Sequence, residues 1–422
     1  MTITKQKFKF KQTEIGMIPE DWEVKNLGSL GKICMCKRVF KNETNSLGEI
    51  PFYKIKTFGK KADAFIPKEL FKKYKEKYSF PNKGDILLST SGTIGRTMIF
   101  DGEPAYYQDS NIVWLKHDDN KLDNKFLLYC YKQVNWITEG STIERLYNNN
   151  IEQTKIPYPS LTEQQSIAKI LSDLDSKIEL NQQMNKTLEE IGQAIFKHWF
   201  IDFEFPNEEG KPYKSSGGEM VDSEMGKIPK GWKVKPIDEV ADFLNGLALQ
   251  KYPPIGEDYL PVIKIRELKQ GISDSSDRAS SNIPKEYIIN DGAILFSWSG
   301  SLEVAVWTSG QGALNQHLFK ISSEIYPKWF YYYWTLHYLP EYKVIAEGKA
   351  TTMGHIQRHH LKDSLVLIPN ENTLNDMDKL FTPLINKIIK VNTESRKLSI
   401  IRDSLLPKLM SGKIRVPVEV RT

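Results

Sequence analysis

Three histidines in the second half of the chain have a spacing that could bind a metal ion. His355 and His359 stand four residues apart, which places them on one face of a helix, and His360 follows directly. Arg358 lies among them, and the three cysteines of the chain all precede residue 131. We therefore interpret this stretch as a basic, hydrogen-bonding surface and predict no metal site.

Other motifs that would indicate an enzyme are missing or incomplete. The chain has neither the G-x-x-x-x-G-K-[ST] loop that holds nucleotide phosphates nor the G-x-G-x-x-G dinucleotide fingerprint. KYPPIG at 251–256 lacks the Asn that precedes Pro-Pro in amino-methyltransferases. Cys34 and Cys36 are half of a metal-binding arrangement without a second pair, so we interpret them as buried thiols. We expect a chain that is not itself an enzyme and binds no cofactor.

Composition bounds the class of protein. A chain of 422 residues suits two or three domains, and 40% hydrophobic with 26% charged residues is typical of globular proteins. The net charge of +5 is compatible with nucleic acid without being diagnostic of it. Three cysteines and the absence of a long apolar run predict a cytoplasmic protein without a membrane span.

A duplicated frame runs along the chain. IPEDWEVK at 18–25 returns as IPKGWKVK at 228–235, and GDILLSTSG at 84–92 returns as GAILFSWSG at 292–300. ITEG at 137–140 likewise returns as IAEG at 345–348. The first pair keeps Ile, Pro, Trp, Val and Lys but loses its carboxylates, so it is predicted to be a structural start of each domain. The repeat is a whole domain with its connector, used twice.

The fold class follows from what each copy contains. The first part of each copy is rich in aromatic and β-branched residues, and runs such as ILLST at 86–90 end in Ser-Gly turns, as strands do. The sequence therefore predicts an α+β fold: two homologous α/β domains related by an internal pseudo-two-fold repeat. The predicted boundaries are 1–160 and 226–370 for the domains, 161–205 and 371–422 for helical segments, and 206–225 for a linker.

The second part of each copy predicts one long helix. Residues 162–200 and 375–410 carry apolar residues at a three-four spacing, with Thr162 as a candidate N-cap. Helices of about 35 residues need a partner stripe, so we expect the two to form an antiparallel coiled coil. Asn181 and Asn185 either fix the register within the seam or lie at its solvent-facing edge. The predicted seam residues are Ile170, Leu174, Ile178, Asn181, Asn185, Leu188, Ile195, Leu380, Leu384, Ile388, Val391, Leu398 and Leu405.

These residues resemble a known family. TEQQSIAKILSDLDSKIELNQQMNKTLEEIGQAIFKHWFIDFEFP at 162–206, with GKIPKGWKV at 226–234, is similar to the central segment of the specificity subunit of type I restriction-modification enzymes. SLLPKLMSGKIRV at 404–416 is similar to the distal segment of that family. One departure is that the second helix opens with Thr373-Leu374-Asn375, where the first has Glu163-Gln164-Gln165.

The resemblance implies a function and partners. Each domain would be a target-recognition domain that reads half of an asymmetric, bipartite site in double-stranded DNA. The helices would fix the gap between the half-sites and dock two methyltransferase subunits, with restriction/translocase subunits joining the complex. S-adenosylmethionine, ATP and Mg would belong to those partners.

Residue types then suggest which side chains contact DNA. Phosphates favour Lys and Arg, whereas base edges favour Arg, Asn, Gln, Ser and His. Candidates in the first domain are Lys54, Lys56, Lys60, Lys61, Ser89, Ser91, Thr93, Arg96, Asn111, Asn148 and Asn149. Candidates in the second are Lys264, Arg266, Ser297, Trp298, Ser299, Asn315, Gln316, His317, Gln357, Arg358, His359 and His360. For each one, ordinary solvated surface or a turn contact is an equally good interpretation.

Two alternative functions stay open at this point. The chain could be a DNA-recognition subunit that serves another catalytic partner, or a non-catalytic coiled-coil adaptor. Binding to DNA in the presence of a methyltransferase distinguishes the first from the second.

Overall fold

The computed structural model describes residues 9–140, 144–348 and 354–416. The chain divides into two compact units. The first unit contains residues 1–176 and 399–422, and the second contains residues 177–398. Each unit therefore combines one globular domain with parts of both long helices, instead of ending where a helix begins. In the described part of the chain, no helix is both long and apolar enough to cross a bilayer.

The first unit is built mainly from short strands. Its strands are β1 (Phe10–Thr13), β2 (Gly16–Pro19), β3 (Glu23–Asn26), β4 (Gly31–Met35), β5 (Ile50–Tyr53), β6 (Phe65–Ile66), β7 (Ile86–Ser89), β8 (Thr97–Ile99), β9 (Tyr106–Tyr107), β10 (Ile112–His117) and β11 (Lys155–Tyr158). Its helices are α1 (Leu27–Leu30), α2 (Lys68–Lys77), α3 (Asn124–Gln133), α4 (Asn148–Gln153) and the start of α5 (Leu161–Phe196).

The second unit repeats these elements. Its strands are β12 (Met220–Ser223), β13 (Gly226–Pro229), β14 (Lys233–Pro236), β15 (Asp242–Asn245), β16 (Tyr259–Ile263), β17 (Arg278–Ser280), β18 (Ile288–Ile289), β19 (Ile294–Ser297), β20 (Glu303–Val306), β21 (Gly312–Leu314), β22 (Leu318–Ser322) and β23 (Leu365–Ile368). Its helices are α6 (Ile265–Gln270), α7 (Lys328–Gly348), α8 (Arg358–Asp363) and most of α9 (Glu371–Met410). The segment predicted as a linker, 206–225, already contains β12.

The central sheets of the two units have the same topology, and their second sheets share a parallel pair although they have three strands in the first unit and four in the second. The central antiparallel sheet has the order β4-β10-β7-β8 in the first unit and β15-β22-β19-β20 in the second. A second sheet contains one parallel pair, β5 with β9 in the first unit and β16 with β21 in the second. The strands β7 and β19 are fully buried, which explains their continuous apolar runs. The prediction of two homologous α/β domains is confirmed.

Each long helix begins at a cap that the repeat conserves. Ser160 Oγ accepts a hydrogen bond from Glu163 N at 3.3 Å, and Asn370 Oδ1 accepts one from Thr373 N at 3.0 Å. Ser160 and Asn370 stand 210 positions apart, and both are good N-cap residues. The expectation that Thr162 caps the first helix is therefore wrong, because the helix begins one residue before it.

The buried face of each helix follows a strict alternation of three and four residues. In α5 it runs through Ile167, Leu171, Leu174 and Ile178, so Ile170 lies one position off the stripe and is 37% exposed. In α9 it runs through Met377, Phe381, Leu384, Ile388 and Val391, and Leu380 is 42% exposed for the same reason. The assignment of Ile170 and Leu380 to the seam is therefore wrong. Among the other predicted seam residues, Ile178, Asn181, Asn185, Ile388 and Val391 are buried, and Leu174, Leu188, Ile195, Leu384, Leu398 and Leu405 are partly buried.

Within the second unit the two helices run antiparallel and share a polar layer. Asn181 Nδ2 donates to Glu394 Oε2 at 3.1 Å, and Asn185 Nδ2 donates to Asn392 Oδ1 at 2.5 Å. Asn181 and Asn185 are 1% and 5% exposed, so the solvent-facing interpretation does not hold. Their Oδ1 atoms accept no hydrogen bond from the described residues, which costs stability. Such buried Asn residues specify register at that cost.

Within the first unit the helices meet through charged groups. Asp175 of α5 accepts a hydrogen bond from Arg402 of α9 at 2.8 Å and one from Tyr129 of α3 at 2.7 Å. Burial by itself would raise the pKa of Asp175, but the bonds from Arg402 and Tyr129 hold that pKa below its ordinary value. The carboxylate therefore stays charged and ties three helices together.

The repeated opening tryptophan is held by different chemistry in the two units. In the first unit, Trp22 Nε1 donates to Glu163 at 2.9 Å, and Glu163 is 2% exposed. Arg415 donates to Glu163 at 2.7 and 3.0 Å and to Asp21 at 2.9 and 2.8 Å. The carboxyl-terminal segment is therefore part of the first domain's packing.

In the second unit the repeated tryptophan packs against an aromatic ring where the first unit has Arg415. Trp232 lies against Phe205 with ring centroids 5.0 Å apart, and Phe205 stands 210 positions before Arg415. Thr373 occupies the position of Glu163, so this unit lacks the carboxylate that would pair with a cation. The duplicated tryptophan is thus a packing residue in both units, as predicted from the loss of its acidic neighbours.

Replacing Glu163 with Ala should destabilise the first unit by about 3 kcal/mol, because it leaves Arg415 and Trp22 without their buried acceptor. Urea unfolding, with hydrogen exchange to assign the loss to residues 16–26, measures this. Thr373→Ala, at the matched position of the second unit, should change stability by no more than about 0.5 kcal/mol. Equal effects of the two substitutions would contradict the assignment.

Acid should weaken the first unit through Asp175. Because its pKa is lowered in the folded state, its contribution is present above the unfolded pKa and is lost as the pH falls below about 4. Asp175→Asn should lower stability at pH 7 and flatten its dependence on pH in that acidic window. Urea midpoints measured from pH 7 to pH 3 test this, and an unchanged slope would show that Asp175 is not responsible.

Candidate nucleic-acid interface

The turn that follows each central strand is closed by a buried serine. Ser89 Oγ, at the end of β7, donates to Thr93 O at 2.5 Å and accepts from Arg96 N at 3.0 Å. Ser297, at the end of β19, makes the equivalent pair of bonds at 2.6 and 2.9 Å. Both hydroxyls are used inside their turns and are not exposed. These intramolecular bonds count against the predicted contact of Ser89 and Ser297 with DNA.

Two residues further on, a second serine holds a polar side chain on the neighbouring strand. Ser91 Oγ donates to Asn111 Oδ1 at 2.9 Å, just before β10. Ser299 Oγ lies 2.9 Å from His317 Nδ1, just before β22. The two pairs occupy the same place in the repeated frame. Asn111 and His317 are both partly exposed, so each serine orients a side chain that reaches the surface.

The segment that leads into each short helix docks on the same turn. Leu146 N donates to Thr90 O at 2.8 Å, and Ile356 N donates to Trp298 O at 3.0 Å. Leu146 and Ile356 are buried and stand 210 positions apart. These contacts bring α4 and α8, each with its preceding residues, to the end of the central sheet.

The residue before each docked position is absent from the predicted DNA contacts, although His355 was assigned to a basic, hydrogen-bonding surface. Arg145 Nη2 donates to Ser110 O and Ser110 Oγ at 3.0 Å each, and lies 3.3 Å from Asn111 Oδ1. His355 stands at the same position of the second unit, with its ring edge-on to Trp298 at 6.3 Å between centroids. An alignment of the two copies at Leu146 and Ile356 places Arg145 and His355 at the same position, directly before the docked residue.

A recess opens at this place in each unit. In the first unit it has a volume of about 450 Å³ and is lined by Met35, Ser110, Arg145, Leu146, Tyr147, Asn148 and Asn149. In the second unit it has about 310 Å³ and is lined by Asn245, Trp298, Phe319, His355, Ile356, Gln357 and Arg358. Met35 and Asn245 are 210 positions apart, so the two recesses are equivalent. The same frame thus presents two different sets of side chains.

A basic turn at 54–61 lies against the turn that follows β7 in the first domain. Arg96 Nη1 donates to Phe58 O at 3.0 Å, which holds the turn at 54–61 against the turn at 91–96. Lys54 lies 3.6 Å from Asp63 and is partly exposed. The exposed candidates on these turns are Lys56, Lys60, Lys61 and Thr93. The three lysines give this turn an exposed positive charge, the kind of group that contacts phosphates in nucleic-acid complexes.

The corresponding basic residues of the second domain have partners within the protein. Arg266 donates to Glu267 at 2.7 and 2.9 Å and to Ser275 O at 2.8 Å. Burial by itself would raise the pKa of Glu267, but hydrogen bonds from Arg266 and Ser276 leave it below its ordinary value. Lys264 forms an ion pair with Asp277. Arg266 is therefore a structural partner of a buried carboxylate, which counts against its predicted contact with DNA.

The other candidates of the second domain divide into structural and exposed residues. Asn315 is buried, and its Oδ1 accepts a hydrogen bond from His317 N at 3.3 Å, which counts against its predicted contact with DNA. His360 Nδ1 accepts from Gln357 N at 2.9 Å and closes the start of α8. The partly or fully exposed candidates are Trp298, Gln316, His317, Gln357, Arg358 and His359. Across the described ranges, no three His, Cys, Asp or Glu residues form a group that could hold a metal ion.

The chain matches one protein family over both copies of the repeat. The family is described as type I restriction modification DNA specificity domain, and the matches cover residues 19–190 and 229–398. Each match spans a globular domain and the greater part of the helix that follows it. The sequence repeat and the family boundaries therefore coincide.

Individual proteins of this kind are similar to the chain. The MjaIX specificity subunit of a type I restriction enzyme from Methanocaldococcus jannaschii is 30% identical over 96% of both chains. A putative type I restriction enzyme specificity subunit from Haemophilus influenzae is 51% identical over 42% of this chain and 46% of its own length. The crystal structure of a type I restriction-modification system S subunit from M. genitalium covers 96% of this chain with a TM-score of 0.59 and 16% identity, which is a likeness of fold.

Replacing Ser297 with Ala should cost about 1–2 kcal/mol, because the Ser301 carbonyl and the Glu303 N–H, both partly buried, lose their partner. Ser89→Ala should cost a similar amount in the first unit. Thermal unfolding measures both, and Ser301→Ala, on the exposed side of the same turn, serves as the control with a smaller effect. A stable Ser297→Ala protein that loses DNA binding would instead show that the hydroxyl contacts DNA.

Proposed function

Since the chain belongs to the type I restriction-modification DNA specificity family, we propose that it is the DNA-recognition subunit of such a system, and that each domain reads one half of a bipartite target. The observation that carries the proposal is the pair of equivalent recesses, which share one frame and differ in their polar side chains. Two domains with identical recesses would read the same half-site twice, and the target would then be symmetric. Asn111 with Arg145 and His317 with His355 differ in chemistry, so the target is asymmetric.

Affinity comes from charge and specificity from the recesses. The exposed lysines at 56, 60 and 61 contact phosphates and position the first domain, without reading sequence. The candidates that line or border the recesses contact base edges. They are Ser91, Asn111, Asn148 and Asn149 in the first domain, and Trp298, Gln316, His317, Gln357 and Arg358 in the second.

The long helices set the gap between the half-sites. A helix of 36 residues, the length of α5, extends about 54 Å, whereas DNA advances about 3.4 Å per base pair. Half-sites must face the protein at a fixed rise and rotation along the duplex, so a rigid helical spacer suits this task. The polar layer at Asn181 and Asn185 supports a single register of the pair.

Partner subunits supply the catalysis. The chain is non-catalytic, and two methyltransferase subunits dock on the helices while restriction/translocase subunits join the complex. Large apolar side chains that remain exposed on the helices support this docking: Leu180, Ile191, Ile400 and Ile401. S-adenosylmethionine, ATP and Mg are bound by those partners. The three cysteines are free and buried, which supports a location in the reducing cytoplasm.

The test is co-expression of the chain with the methyltransferase encoded next to it, followed by single-molecule sequencing of the host DNA. We expect adenine methylation in an asymmetric, two-part motif with a fixed gap. Replacing residues 226–370 with the second domain of a relative should change one half of the motif only. If the complex forms without new methylation, the adaptor function is favoured; if the motif changes in both halves, the domains do not read independently.

A further inference from the structure

Arg145 lines the first recess, and Asn111 lies beside it with its Oδ1 3.3 Å from Arg145 Nη2; the inference drawn from this pair rests on the proposed function. We propose that Arg145 and Asn111 together read a guanine in the half-site of the first domain.

Asn111 is held so that its amide nitrogen is left for a ligand. Its Oδ1 accepts from Ser91 Oγ at 2.9 Å and lies 3.3 Å from Arg145 Nη2. With both donors on the oxygen, the orientation of the amide is fixed. Among the described residues, Nδ2 has no hydrogen-bond partner, and the side chain is partly exposed. Asn111 therefore presents a donor and no free acceptor.

Arg145 is held by one edge of its guanidinium group. Nη2 donates to the carbonyl and the hydroxyl of Ser110 at 3.0 Å each. The guanidinium also lies 6.0 Å from the ring centroid of Tyr147, at cation–π distance. Nε and Nη1 make no hydrogen bond to the described residues, so they remain as outward donors.

The backbone beneath this pair adopts a conformation that non-glycine residues rarely use. Ser110 has a φ of +53°, and its carbonyl accepts from Thr90 Oγ1 at 2.6 Å as well as from Arg145. Such local strain persists where the surrounding structure holds it, and it often serves to position functional groups. Here it directs a carbonyl at Arg145 while Asn111, the next residue, projects its amide.

The chemistry of the ligand follows from the donors. Two adjacent donor groups match a base edge that carries only acceptors, which in the major groove is the O6 and N7 edge of guanine. Adenine presents a donor amino group beside its N7, and that group would face the donors of Arg145 and Asn111. We therefore expect a G·C pair at one position of the first half-site.

The second domain does not impose the same requirement. Its equivalent residues are His317, held by Ser299 at 2.9 Å, and His355. An imidazole can donate or accept, so these positions do not select an acceptor-only edge. The comparison isolates Arg145 and Asn111 as the residues that give the first domain its own preference.

The experiment uses the complex with the methyltransferase and compares the methylated motifs of variants. Asn111→Asp converts the outward donor into an acceptor at constant size, and Arg145→Gln removes the cation. Each should lower discrimination at one G·C position of the first half by about 5- to 150-fold, with the second half and the gap unchanged. The first half is the one that stays constant when residues 226–370 are exchanged.

Matched controls separate base reading from charge and from folding. Gln12→Glu makes an equivalent amide-to-acid change on the exposed face of β1, and Lys41→Gln removes an exposed cation; both should leave the motif unchanged. Continued reading of the second half shows that the complex is folded. If Arg145→Gln fails to assemble, Arg145→Lys keeps the charge but removes the planar fork and should give the same loss.

Several results would overturn the inference while the proposed function stands. These are a wild-type first half without any G·C pair, variants whose motif is unchanged, or a loss of affinity that is uniform over sequences with a weaker salt dependence. The last result would make Arg145 a phosphate contact. Absence of any bipartite motif for the wild-type complex would instead reject the proposed function itself.

Discussion

Two helices of 36 and 40 residues each carry an apolar stripe that no single helix can bury, and the remaining structure depends on how those stripes are covered. In the first unit the start of α5 packs into the domain core through Ile167 and Leu171. In the second unit Phe381 of α9 stacks on Trp329 with centroids 4.4 Å apart. Each domain therefore completes its core with residues from a helix, so a domain and its helix form one packing unit.

The two copies of the repeat have the same arrangement of strands and helices but hold equivalent residues by different interactions. Trp22 is fixed by a buried carboxylate and an arginine, whereas Trp232 is fixed by aromatic stacking. Both solutions satisfy the same packing position, because an indole can be held through its N–H or through its ring faces. The same freedom operates at the recess, where one frame presents Arg145 and Asn111 in one copy and His355 and His317 in the other. A frame that tolerates such exchanges can acquire two specificities without a new fold.

Sequence reasoning located the recess only in part. Ser91 and Asn111 were predicted and are hydrogen-bonded to each other, and Asn148 was predicted and lines the recess. Ser89 and Ser297 were included with them although their hydroxyls are used inside turns. Within ILLSTSG, every Ser and Thr has the same capacity to hydrogen-bond, and only the strand's end decides which of them turns outward. Arg145 was missed because it precedes the docked Leu146 in a stretch whose helix and strand signals are mixed.

The sequence by itself determined the repeat, the α+β class, the two long helices and the family, because each of these depends on patterns that extend over many residues. The tertiary structure alone decided the exact stripe, since Ile170 and Leu171 are both apolar and only the fold places Leu171, and not Ile170, in the buried core cluster of the first unit. It also decided which polar side chains meet, because Arg145 follows Ser110 by 35 residues and Asn111 by 34, and only the folded chain brings it to hydrogen-bond distance of both. A periodic pattern can be recognised in the sequence alone, whereas a binding surface is formed by contacts between residues that are distant in the sequence.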